Sequence, residues 1–149
     1  MGIIMSKTSK NVNAFLKKDE KVISTMTGNS YTSSSSVIIR FIASLVRIIA
    51  VITGCPTRKS IVCTNRRLIV ENNQKILYFF DYSSSITAVS PRGLMQIGYS
   101  FQRSWFIFKN HYLTLILSGS PQELILSKDG YKSVMEMINS AESLREKVN

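Results

Sequence analysis

Residues 60–70 read Ser60-Ile61-Val62-Cys63-Thr64-Asn65-Arg66-Arg67-Leu68-Ile69-Val70. Two β-rich runs, 60–63 and 68–70, flank the polar tetrad Thr64-Asn65-Arg66-Arg67, whose asparagine suits a tight turn. The pattern predicts a β-hairpin. Further short strands are expected at about ten-residue spacing over 75–80, 86–90, 96–102, 105–109, 113–117 and 123–126. The breaks between them are Glu71-Asn72-Asn73-Gln74, residues 81–85, Pro91-Arg92-Gly93, Asn110-His111 and Ser118-Gly119-Ser120-Pro121. Upstream, 21–27 alternates well enough for a first strand, with Val22, Ile23 and Met26 as its apolar content. Regular short strands with such punctuation predict a mainly β, antiparallel barrel or sandwich of about seven strands.

Two helical patterns interrupt this rhythm. From Asp129, a candidate N-cap or first-turn acid, Tyr131, Val134, Met135, Ile138, Ala141 and Leu144 recur at helical spacing, which predicts a closing helix over 129–147. Residues 37–54, VIIRFIASLVRIIAVITG, form the second. At 100° per residue Ser36, Arg40, Ser44, Arg47 and Gly54 share one narrow stripe, with Val51 the only apolar intruder. Gly54 and Pro56 then end the helix.

About 18 residues at 1.5 Å make this helix roughly 27 Å long, close to the thickness of a bilayer core. Two central arginines cost about 5–7 kcal/mol on insertion, against about 4–6 returned by the apolar residues, so a lone span is not expected. A helix apolar around most of its circumference must still hide that surface. The acyl boundary of a membrane, an oligomer interface and the domain's own core all remain open. Arg40, Phe41, Leu45, Arg47, Ile48 and Ile52 are the candidate contact residues, with the arginines able to snorkel to headgroups or to pair with an acidic neighbour.

Of 149 residues, 19 are Lys+Arg and 9 Asp+Glu, a net charge of +10. Residues 1–70 hold 11 of the cations against Asp19 and Glu20 alone, a net of +9. Between Lys21 and Val70 no acid occurs, so that segment projects a positive field toward phosphates on anionic lipid or nucleic acid. An ordinary basic face serving solubility is the competing reading. Arg58, Lys59, Arg66 and Arg67 around the hairpin, with Lys21 beside the first strand, are the candidate anionic-lipid or phosphate ligands. The aromatic runs Tyr78-Phe79-Phe80 and Trp105-Phe106-Ile107-Phe108 are read as strand core ahead of base-stacking platforms, which keeps nucleic acid a minor reading.

With 44% apolar and 19% charged residues the chain is neither a disordered tail nor a fibrous repeat, and its length fits a single domain. Cys55 and Cys63 are too few for a disulfide framework or a zinc site, and are expected to be reduced in the cytoplasm. No catalytic, metal or cofactor set emerges. His111, the only histidine, is read as a surface turn residue, and no glycine-rich nucleotide loop or carboxylate pair is present. No small-molecule substrate is therefore expected. Residues 1–14 are expected to be a flexible basic arm without a secretory leader, with a short helical turn beginning at Ala14. Met1-Gly2-Ile3-Ile4-Met5-Ser6 fits the N-myristoylation pattern, and Met5 is the competing start.

Asp19-Glu20-Lys21-Val22-Ile23, the hairpin 61–70, Phe80-Asp81-Tyr82-Ser83 leading into Ile86-Thr87-Ala88-Val89, and the terminal helix together resemble the bacterial pleckstrin-homology-like (PH-like) domain family. The resemblance covers about residues 15–148. It departs at 33–56, where the apolar helix lies as an insertion between the first two strands. It implies a partly open barrel capped by a C-terminal helix, a non-enzymatic binding or assembly module that often self-associates, and no cofactor. The partners expected are anionic lipid at the inner membrane face, a second copy of the chain, or another protein.

Overall fold

The computed structural model describes residues 10–32, 37–55, 57–104 and 107–148. The N-terminal lipidation pattern, both candidate start methionines, Ser36, Pro56 and the Trp105-Phe106 pair lie outside the described residues. The hairpin forms where the pattern places it, between β2 (Thr57–Thr64) and β3 (Leu68–Ile76), and Ile61 pairs with Val70 and Cys63 with Leu68. Outward from it run β1 (Val22–Thr32) and β7 (Glu123–Ser127) on one side and β4 (Phe80–Val89) on the other. Beyond β7 lie β6 (Phe108–Leu117) and β5 (Leu94–Ser104). All seven strands form one antiparallel sheet in the order β4-β3-β2-β1-β7-β6-β5. It is open: among the described residues β4 and β5 are its two edges and do not pair with each other, so the structure shows the expected mainly β, antiparallel architecture of seven strands as one unclosed sheet.

Strand alternation gives the sheet two distinct faces. One carries Met26, Ile61, Cys63, Leu68, Leu113, Leu115 and Ile125 against Val134, Met137, Ile138, Ala141 and Leu144 of helix α3 (Gly130–Glu146), all buried. The helical pattern of the sequence finds this stripe apart from two positions. Met137 is fully buried where no apolar contact is expected, and Tyr131 is half exposed. Asp129 is the N-cap residue of α3, but its carboxylate does not cap; Ser127 Oγ accepts from the Asp129 amide at 3.2 Å instead. On the opposite face Val62 and Ile69 are covered by Val12 and Leu16. Val12 belongs to α1 (Lys10–Phe15), so the first helix starts four residues earlier than expected and 10–13 are anchored through it.

Three expected breaks are continuous strand. Glu71-Asn72-Asn73-Gln74 pairs with residues 57–60 of β2 and, through Ile86, Ser85, Ser84 and Ser83, with β4. Residues 81–85 lie inside β4, and Asn110-His111 lie inside β6. Ladder hydrogen bonding across the sheet overrides the turn preference of these polar residues. The β3–β4 turn falls instead at Leu77-Tyr78-Phe79, where φ is +52° at Leu77 and +61° at Tyr78. Two consecutive side-chain-bearing residues in the left-handed region cost of order 1–2 kcal/mol each.

That strain is held by helix α2 (Val37–Ile52), which connects β1 to β2. The Tyr78 amide donates to Gly54 O at 2.7 Å and the Tyr78 hydroxyl donates to Val51 O. Gly54 ends α2 with φ +74°, and a Cβ there would sit 2.8 Å from both Leu77 Cα and Tyr78 Cδ2. Gly54→Ala is thus expected to destabilise by about 1–3 kcal/mol, through strain and loss of this clasp. Urea unfolding measures it; an unchanged midpoint would show that the α2 terminus does not bear on the turn.

Candidate functional site

The hairpin turn is built around a buried carboxylate. Glu20 Oε1 accepts from Arg67 Nε at 2.9 Å and Oε2 from Arg67 Nη2 at 3.0 Å, a bidentate fork. Thr64 Oγ1 lies 2.7 Å from Oε1, and the Lys17 amide donates to Oε2 at 3.0 Å. Arg67 also donates to Phe15 O at 3.1 Å and stacks over the Phe15 ring at 4.9 Å. Burial pushes the Glu20 carboxyl up, but the Arg67, Lys17 and Thr64 hydrogen bonds and the Arg67 charge outweigh it and hold the pKa at about 2. Arg67 is therefore a structural clasp. It is withdrawn from the phosphate candidates.

Of the other hairpin cations, Lys59 is buried and ion-paired with Glu123. Arg58, Arg66 and Lys21 are exposed, and Lys21 is held only through its backbone, exchanging hydrogen bonds with Asn65 at 3.0 Å. The predicted set does not converge on one point: Lys21 and Arg66 lie at the turn end of the hairpin, and Arg58 at its far end.

The apolar candidates lie on a surface. Among the described side chains of α2, Ile38, Ile39, Phe41, Ile42, Leu45, Val46, Ile48, Ile49, Val51 and Ile52 are all 44–76% exposed. Arg47 and Ala50 are the partly covered ones. With the Asn29 amide oriented to satisfy both of its ends, its oxygen accepts from Arg47 Nη2 at 3.0 Å and its nitrogen donates to Thr57 O at 2.9 Å. The helix turns Arg47 toward β1 and presents its apolar circumference outward, so the domain's own core is not where that surface is hidden. Arg40 lies within α2.

A second apolar element adjoins the helix. Leu77, Tyr78, Phe79, Phe80 and Tyr82 are all exposed, Phe79 the most at 85%. Expected as strand core, this run is instead the tip of β3–β4, and the Tyr78 clasp fixes it beside the C-terminal end of α2. Ile107 and Phe108 are likewise exposed at the β5–β6 turn, against the same expectation. Patterning could not reveal these tips, since an aromatic run reads alike in a strand and at its end.

Compared with family models, curated proteins and solved structures, the chain matches none.

No group of three His, Cys, Asp or Glu side chains able to hold a metal occurs among the described residues. His111 is not in a turn: it sits in β6, partly buried, with Nδ1 2.8 Å from Tyr99 Oη and its ring against Tyr131. Cys55 and Cys63 are unpaired, and burial pushes the Cys63 thiol up to about 11, which leaves no thiolate for chemistry.

Glu20 yields a pH prediction with a definite sign. Its folded pKa lies below its unfolded value near 4.5, so the stabilisation is complete above that value and is lost as pH falls toward about 2. Glu20→Gln should cost about 3 kcal/mol at neutral pH and flatten stability between pH 4.5 and 2, with variant and parent converging in acid. Denaturant titrations across pH give the answer; parallel curves would mean that Glu20 does not govern the acid limb.

Proposed function

We propose that this chain is a non-enzymatic PH-like module that docks on an anionic membrane surface through α2 and the β3–β4 tip. The carrying observation is the outward apolar circumference of α2. A soluble surface seldom exposes a contiguous apolar patch beyond a few hundred Å², and ten large side chains on one helix with the adjoining aromatics form such a patch. Sixteen residues give α2 a length of about 24 Å, and no described helix is long and apolar enough to cross a membrane. A helix of this kind lies in the interface plane with its apolar face in the acyl boundary.

Charge complementarity favours lipid over a second apolar partner. Of the exposed hairpin cations, Arg58 lies at the end of the sheet that carries α2, and a cation near an anionic surface contributes about 1 kcal/mol. Partial burial of several α2 side chains contributes more, at about 1.5–3 kcal/mol for each one fully transferred. The two terms together support reversible peripheral association. Seven antiparallel strands followed by one helix support the PH-like reading, with α2 as the insertion between its first two strands.

Vesicle co-sedimentation tests this. The full chain should sediment with phosphatidylcholine vesicles containing phosphatidylglycerol, less with phosphatidylcholine alone, and less again at high salt. Ile48→Asp and Phe79→Ser lie on exposed positions and should abolish sedimentation while leaving thermal unfolding unchanged. Failure to sediment with either vesicle, together with an oligomer in light scattering that Ile48→Asp dissociates, would assign the helix to self-association and overturn the membrane reading.

A further inference from the structure

The sheet face opposite α3 brings Arg58 of the hairpin near two cations from outside it. Gly28 of β1 pairs with Lys59 on one side and Ser127 on the other. Arg58 and Lys128, one residue beyond each partner, therefore flank β1 on the same face by strand alternation. Asn29 lies between them and holds the Arg47 guanidinium, which reaches down from α2, at 3.0 Å. Arg47 of α2, Arg58 of β2 and Lys128, the residue after β7, thus lie on one face around Thr27, Gly28 and Asn29. The strands approach so closely there that a Cβ on Gly28 would lie 2.1 Å from Leu126 O.

The carboxylates near the cluster are engaged by neighbouring side chains. Two acids share this face: Asp129, whose Oδ2 accepts from Thr27 Oγ1 at 3.3 Å, and the buried Glu71, which pairs with Ser60 beside Arg58 and accepts from Asn11 Nδ2 at 3.5 Å. Glu123 on the other face is taken by Lys59. The mutual repulsion is felt: partial burial first, then the charges of Arg58 and Arg47, pull the Lys128 ammonium below its ordinary range, with Asp129 opposing. Burial likewise lowers Arg47, offset in part by the Tyr112 phenol. Like charges brought together by a fixed sheet register set up a local positive potential that favours an anion.

We propose that Arg47, Arg58 and Lys128 form a binding site for a phosphate-type anion on the sheet face opposite α3. The exposed Arg58 guanidinium offers a fork-shaped donor to phosphoryl oxygens, the Lys128 ammonium supplies a point charge, and the Arg47 guanidinium, held by Asn29, adds its charge from α2. The site is open, with Arg58 and Lys128 exposed, so it can take either a free phosphate compound or a phosphomonoester headgroup. It stands independently of the membrane reading, because its geometry does not involve the apolar face of α2.

Calorimetric titration of the full chain with inorganic pyrophosphate tests the site directly. Saturable binding is expected, weakened about tenfold by Arg58→Gln and by Lys128→Gln, and less than about twofold by Arg92→Gln, an exposed cation outside the cluster. Absence of saturable binding, or an equal loss with Arg92→Gln, overturns the proposal. Phosphatidylcholine vesicles carrying phosphatidic acid then separate the sources. If Arg58→Gln and Lys128→Gln lower vesicle binding in step with pyrophosphate binding, the site serves a headgroup. If pyrophosphate binding falls and vesicle binding does not, it serves a soluble phosphate. Pyrophosphate binding by a chain that ignores every vesicle would uphold this site while ending the membrane reading.

Discussion

The buried Glu20–Arg67 pair sets the geometry on which the remainder depends. It joins three pieces of chain at one buried point: the segment after α1 through Phe15 O and the Lys17 amide, the start of β1, and the β2–β3 turn through Thr64. A buried charge pair with imperfect geometry costs more to desolvate than it returns. Here both carboxylate oxygens are multiply bonded and the guanidinium is used on two edges, so the balance is favourable. The pair also fixes the β1–β2 register from the closed end, with Thr64 opposite Val22 and Ile61 opposite Met26.

At the other end of the same strands the chain does something costly. Leu77 and Tyr78 occupy left-handed backbone, and a helix with ten exposed large apolar side chains is tied to them through Gly54 and Tyr78. Backbone strain and exposed apolar area each lower stability in water, and here they coincide. The buried ion pair at the closed end and the strained, apolar open end therefore lie at opposite ends of the same strands.

The hairpin, both long helices and the terminal capping stripe were legible in the sequence, because short-range apolar periodicity governs each of them. The polar β3–β4 ladder was not. Glu71-Asn72-Asn73-Gln74 looks like a turn by composition, and only its partners in β2 and β4 make it a strand. The exposed aromatic tip was missed for the same reason, since placing the turn at 71–74 pushes Tyr78-Phe79-Phe80 into a strand interior. Within the candidate site, Arg47 and Arg58 could be singled out by their acid-free surroundings. Lys128 could not, because its proximity arises only when β7 returns to pair with β1.

This changes the meaning of the charge asymmetry along the chain. Residues 1–70 carry a net of +9, yet Arg67 and Lys59 are consumed by Glu20 and by Glu123, the latter from the nearly neutral half. Folding thus subtracts from the basic segment where the sheet needs internal pairing, and adds to it where Lys128 comes beside Arg58. What remains outside is sorted by position: solitary cations at the hairpin turn, and a group of three over β1 beneath the helix. A field spread evenly over the segment would attract any polyanion alike. Cations held to a register by strand pairing concentrate that field on one face of the sheet instead.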